Sequence, residues 1–260
     1  MKLLYALIAT LVMGIVPARA ASGYDLSDMW WTPAESGWGV EFVQQRDMIF
    51  AALYVYRPDG TPAWYTASMP FQGLDRQTHQ MTYSGQLYET RGTWFGSPSF
   101  GSDPPRRVGT MTLVAPTMTQ ATLTYSVDGV TVTKQIRRLT FRWDDYDGIY
   151  LGGQVLEATR CDNPANDVVR SASATFTFAR VGAAMEVSVQ EGGRTCRYSG
   201  PYTQEGRLGR IDATFQCNDG VVGSLTFEEM HVERFSVSGR HFGVDNRGCH
   251  LEGRFAAVLR

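Results

Sequence analysis

Short runs of alternating apolar and polar residues dominate the chain. Between residues 121 and 136, Ala121, Leu123, Tyr125, Val127, Val130, Val132 and Ile136 share one face, while Thr122, Thr124, Ser126, Thr131 and Thr133 share the other. Asp128-Gly129 lies between the two runs and predicts a type I′ hairpin, because both central positions of that turn need positive φ. Counting outward sets Val127 against Val130, Tyr125 against Val132 and Leu123 against Lys134. This is an antiparallel ribbon buried on one side, with Lys134 on the buried face and expected to snorkel toward an edge. Ala174 to Phe178, Met185 to Val189 and Ile211 to Phe215 alternate in the same way. No stretch holds a helical period over about ten residues. The pattern predicts an all-β chain of two small antiparallel meander barrels or sandwiches in tandem, without substantial helix. A single larger barrel or sandwich is the rival.

Residues 30 to 69 are the densest in signal. Pro58-Asp59-Gly60 predicts a turn: Pro presets φ, Asp bonds its own backbone and Gly accepts positive φ. Pairing outward sets Val55 against Trp64, Tyr54 against Tyr65 and Phe50 against Met69. A second turn at Arg46-Asp47 sets Phe42 against Ala51 and Val40 against Leu53. One face of this sheet then carries Trp38, Val40, Phe42, Ile49, Ala51, Leu53, Val55 and Trp64, an ordinary core. The other carries Glu41, Val43, Phe50, Ala52, Tyr54, Tyr56 and Tyr65. A strand apolar on both faces is either buried between layers or lines a ligand site. Glu41 would be costly to bury unpaired; it is expected at a rim or paired with an Arg such as Arg91.

The ends of the chain change the picture. Lys2, the apolar run Leu3 to Val16, and the small-x-small sequence Ala18-Arg19-Ala20 predict a signal peptide over residues 1–20, cleaved after Ala20. No later apolar run is long enough to span a bilayer. Removing Lys2 and Arg19 takes the formal charge from −2 to −4, which argues against a nucleic-acid partner. The mature protein is placed in the periplasm or outside the cell.

Composition also shifts along the chain. All 6 Trp lie at or before Trp143, and all 4 Cys at or after Cys161. This divides the chain into a Trp-rich β domain, 24–143, and a disulfide-bearing β domain, 148–260. Tyr83-Ser84-Gly85 recurs as Tyr198-Ser199-Gly200, a faint sign of duplication. An even Cys count in an exported chain reads as two disulfides. A two-residue turn at Gly206-Arg207 puts Glu205 opposite Leu208 and, further out, Cys196 opposite Cys217, a separation a disulfide can span. Pro201 cannot donate to a ladder, so a bulge or break is expected near Gly200-Pro201. Cys161 is left with Cys249. Zinc is the alternative, disfavoured because no C-x-x-C pair exists.

The run Trp30-Trp31-Thr32-Pro33-Ala34-Glu35-Ser36-Gly37-Trp38-Gly39, then Gln44-Gln45, Phe50-Ala51 through Tyr56, and Gly60, Pro62 and Trp64-Tyr65, resembles the signature of a family of secreted, mostly proteobacterial proteins of uncharacterised function. The resemblance covers residues 30–65. It implies export and a β-rich domain; it implies no activity and carries over no catalytic residue.

Candidate chemistry is sparse. Ser36 lacks the G-x-S-x-G elbow and stands far in sequence from His79, His231, His241 and His250. Glu35 and Glu41 could form a glycosidase pair, a chemistry decided by carboxylate separation. Asp145-Tyr146-Asp147-Gly148 lacks the ligand pattern of a calcium loop. His241, Cys249 and His250 could chelate a metal only with Cys249 reduced. No cofactor and no metal is expected. The leading expectation is a non-enzymatic envelope binding module whose aromatic sheet face holds a glycan, an amphiphile or an envelope protein through Trp30, Trp31, Glu35, Glu41, Phe50, Tyr54, Tyr56 and Tyr65. The alternatives are a hydrolase of envelope polymers using Glu35 and Glu41, and a structural or inhibitory protein with no small ligand.

Overall fold

The computed structural model describes residues 24–260; the expected signal peptide lies outside them. Among the described residues, sixteen strands form two closed antiparallel barrels in tandem. The first comprises β1 (Asp28–Trp31), β2 (Gly39–Gln45), β3 (Met48–Tyr56), β4 (Pro62–Leu74), β5 (Met81–Glu89), β6 (Arg106–Ala115), β7 (Gln120–Val127) and β8 (Val130–Arg138). The second comprises β9 (Gly148–Thr159), β10 (Val168–Val181), β11 (Ala184–Glu191), β12 (Arg194–Glu205), β13 (Leu208–Cys217), β14 (Val222–Glu233), β15 (Ser236–Asp245) and β16 (His250–Leu259). A 3₁₀ turn, Pro164–Asn166, follows β9.

Each strand pairs with its neighbour in sequence, as short turns demand. The first barrel closes through Trp30↔Arg138 and Trp31↔Arg137. The second closes along β9 and β16, from His250↔Thr159 to Leu259↔Tyr150. The second seam runs the length of its strands, whereas in the first only Arg137 and Arg138 of β8 pair with β1; closure sends alternate side chains inward. Trp30, Phe42, Met69, Tyr83 and Leu87 fill the first interior, and Phe176, Phe178, Val187, Ile211 and Phe227 pack the second. Tight coiling needs glycine where strands press together. A Cβ on Gly85 would stand 2.1 Å from the Ser68 carbonyl oxygen, so only glycine fits there. Gly200 meets the Asp212 carbonyl oxygen at 2.0 Å in the same way. The recurring Tyr-Ser-Gly therefore marks a shared local device. It falls on the fifth strand of one barrel and the fourth of the other.

The hairpins at Arg46-Asp47 and Asp128-Gly129 have the registers that sequence predicts, with Phe42↔Ala51, Val40↔Leu53 and Leu123↔Lys134. The hairpin at Pro58 does not. There Arg57 N donates to Thr61 O and Gly60 N to Arg57 O, both at 2.9 Å, and Gly60 takes φ 79°. The loop is three residues, 58–60, ending in a left-handed glycine, not two. The pairs are Tyr54↔Trp64 and Leu53↔Tyr65. A one-residue slip exchanges the faces: Trp64 turns outward and Tyr65 turns into the barrel.

In the second barrel Cys196 is bridged to Cys217, its directly opposed partner, and Cys161 to Cys249. The β12–β13 ladder lapses at Gly200 and Pro201, yet Ser199↔Thr214 and Tyr202↔Ile211 keep one register, so the break inserts no extra residue. The connecting segment 139–147 plugs the second barrel. Tyr146, 1% exposed, donates its hydroxyl to Met230 O at 2.9 Å and lies edge-on to Tyr202. Gln204 braces the segment, donating to Arg142 O and accepting from Asp144 N. Arg137 reaches across to Glu205 at 2.9 Å, and Arg207 pairs with Asp25.

Candidate functional site

The signature residues divide between an inner and an outer role. Trp30 is fully buried, donates Nε1 to Leu26 O at 3.0 Å and lies under the Arg138 guanidinium. Arg138 is held by Asp28 at 2.9 Å and by the carbonyl oxygens of Ser27 and Met118. A buried cation persists only with such full pairing. Tyr65 is buried on the inner wall, and Trp31 is half-buried beside the closing seam. Trp30 and Tyr65 are thus packed away from the outer aromatic face on which the sequence grouping placed them.

The loop from Thr32 to Trp38 folds over one mouth of the first barrel. Thr32 Oγ1 donates to Gln135 O at 2.8 Å, and Glu35 N closes a turn on Thr32 O. Lys134 emerges from the inner face of β8 and donates to Glu35 Oε2 at 2.5 Å. Trp38 Nε1 donates to the same oxygen at 3.1 Å, with the Lys134 ammonium 5.7 Å above its ring. The Lys134 hydrogen bond holds the Glu35 carboxyl below its ordinary range. Beneath it, burial pushes the Tyr125 phenol up.

On the outer wall Phe50, Tyr54, Tyr56 and Trp64 are 45%, 42%, 60% and 52% exposed. Tyr54 and Trp64 are directly opposed across β3 and β4. Gly37, Tyr54, Val55, Tyr56, Pro62, Ala63 and Trp64 line an open cleft. Gly37 takes φ 108°, and a Cβ there would lie 3.7 Å from Tyr56 Cε2, so the loop leans directly on that ring. Glu41 sits on the same wall and accepts from the Tyr54 hydroxyl at 3.5 Å. Burial, then the Glu41 charge, raises the Tyr54 pKa. Glu41 has this phenol as its partner. Arg91, the expected one, lies 3.8 Å from Glu89 instead.

Three supporting residues, Arg57, Glu89 and Arg106, carry no signal that singles them out in the pattern of residues 30–69. Arg57 donates to Pro62 O at 3.0 Å and to Glu89 at 2.9 Å, and Arg106 bonds the same carboxylate at 3.1 Å. Glu89 is 7% exposed, and its Arg57 and Arg106 hydrogen bonds hold its carboxyl low. This network fixes the β3–β4 turn and hence the floor of the cleft. The available signal was phase: Glu89 shares the inward parity of Tyr83 and Leu87 on β5. Among the described residues, no three His, Cys, Asp or Glu side chains are grouped to hold a metal ion.

No family model and no curated protein matches the chain. A solved structure of a protein with unknown function from the DUF3598 family of Nostoc punctiforme is similar over 82% of this chain and 95% of its own, at 10% identity and a TM-score of 0.29. At that distance it assigns neither family nor function.

Proposed function

We propose that this is a non-enzymatic binding module of the cell envelope, exported to the periplasm or beyond, whose outer aromatic cleft holds a glycan. The observation that carries the reading is the Tyr54–Trp64 pair, two exposed aromatic residues directly opposed across β3 and β4 that line one cleft. Flat apolar faces of sugar rings stack on such rings, and contiguous exposed aromatics on a soluble protein mark an interaction surface. Glu41 and Tyr54 supply polar groups at the edge, and the loop bearing Gly37 forms one bank. Two disulfides fit an oxidising compartment, and the resemblance in residues 30–65 points the same way. Among the described residues no helix is long and apolar enough to cross a membrane.

The test is tryptophan fluorescence of residues 21–260 titrated with chito-, cello- and malto-oligosaccharides. A saturable change is expected with one of them, weakened about tenfold or more in Trp64→Ala, as loss of a stacked aromatic implies. Glu41→Gln should weaken it less. No saturable change with any of these sugars would sink the glycan reading. The filled interior of the first barrel favours a second reading, a structural or inhibitory protein with no small ligand in that barrel, and a silent titration would move the weight there. Release of reducing ends during the titration would instead favour the hydrolase.

A further inference from the structure

The two barrel interiors differ. In the second, a cavity of about 280 Å³ opens at the end formed by the turns after β9, β11, β13 and β15. The other end is stopped by Tyr146 and Tyr202. Both disulfides belong to the open end. Cys196 lines the cavity, and Cys161–Cys249 ties the loop after β9 to the turn before β16. Cross-links at a barrel mouth hold it open without filling it.

The walls are apolar and aromatic, chiefly Tyr198, Phe215, Leu225 and Phe227, and the mouth is charged. Its carboxylates are already committed. Glu191 accepts from Arg170 at 2.5 Å and from Gln154 at 2.9 Å. Asp219 accepts from Arg194 Nε at 2.7 Å and from Val221 N. Asp245 accepts from Arg247 side chain and backbone and from Cys249 N. The guanidiniums are not exhausted: Arg194 commits only Nε and Arg170 only Nη1 to hydrogen bonds among the described residues. Each guanidinium has five N–H donors, so the unspent capacity of the mouth is donor capacity. Deeper in, His241 is 3% exposed and lines the cavity, stacked on Phe255 and edge-on to Phe227. Its ring nitrogens have no hydrogen-bond partner among the described residues. The imidazole lines the cavity, so a polar group of a bound molecule could supply that partner.

We propose that the second barrel is a cup for a small amphiphilic anion, with the apolar body against Tyr198, Phe215 and Phe227 and the anionic head on Arg170 and Arg194. A hydroxyl or carbonyl on the body would meet His241. The volume lies near the lower limit of ligand pockets, which sets the size class. This site is independent of the aromatic cleft, and the two proposals fail separately.

The experiment is isothermal titration of residues 21–260 with decanoate and with 1-decanol, its uncharged counterpart. Decanoate should bind at least about tenfold more tightly than decanol, as a charge-assisted hydrogen bond implies. Arg194→Gln should remove that preference and leave decanol binding unchanged. Leu156→Trp, which fills the cavity from a half-buried wall position, should abolish uptake of both; if it does not fold, Ala158→Phe serves. Trp64→Ala should change nothing. Equal affinity for the two probes would overturn the anionic head. No uptake by the folded protein, or uptake indifferent to Leu156→Trp, would overturn the cavity as the site.

Discussion

His241 lies deep inside the second barrel, 3% exposed. Burial against Phe227 and Phe255, uncompensated by a hydrogen bond among the described residues, lowers its pKa from 6.5 to about 4. The direction fixes a pH dependence. Above about pH 6.5 the imidazole is neutral in both folded and unfolded states and contributes no slope. Below that, the unfolded chain takes up a proton that the folded barrel refuses until about pH 4, so stability falls as pH falls through this window. His241→Phe should flatten the pH dependence of the melting temperature between about pH 6.5 and 4 while leaving the carboxylate-driven loss at lower pH. Urea melts across that range would check it; an unchanged slope in the variant would show that His241 titrates normally. Glu89 works in the opposite compartment of charge. Its bonds to Arg57 and Arg106 stabilise the carboxylate, and that contribution is present above its unfolded pKa and fades as pH drops through the lowered native value.

At the scale of the element, the β3–β4 hairpin turns on one residue of loop length. Three loop residues with Gly60 left-handed put Trp64 on the outer wall and Tyr65 inside. The two neighbouring aromatics should therefore answer truncation differently. Tyr65→Ala opens a cavity in a close-packed interior and should cost about 3–5 kcal/mol, while Trp64→Ala, half exposed, should cost under about 1 kcal/mol. Denaturant unfolding of the two variants measures the register directly. Equal losses, or the reverse order, would mean the register with Val55 opposite Trp64 is the true one. The alternation of apolar residues was legible here, but its phase was not. A Pro-Asp-Gly loop accommodates two or three residues, and both faces of these strands are aromatic, so burial pattern could not choose between registers.

On the scale of the molecule, the segment between the barrels acts as a stopper rather than a free tether. Tyr146 fills the closed end of the second barrel, and Gln204, Arg142 and Asp144 lock the segment to it. Gly206, at φ 60°, lies against the first barrel so closely that a Cβ would stand 2.4 Å from Asp28 Oδ2. Tyr146→Ala should uncouple the barrels: calorimetry is expected to show one transition in the parent and two in the variant, the lower belonging to the second barrel. A parent that already melts in two separate steps would mean this contact transmits no stability between them.

Alternation, turn residues and cysteine spacing carry local information. They were enough for the all-β class, the hairpin registers at Arg46-Asp47, Asp128-Gly129 and Gly206-Arg207, and the direct opposition of Cys196 and Cys217, because each follows from contacts between near neighbours in the chain. Polar residues in phase with a core face, such as Arg170, Glu191, Arg194 and His241, were also written there, but their meaning was not. Whether eight strands close, whether the enclosed space is filled as in the first barrel or left open as in the second, and which guanidinium donors remain unspent are sums over all strands at once. Closure and packing volume are collective quantities. They depend on how distant side chains of different sizes meet inside the barrel, which no local pattern records.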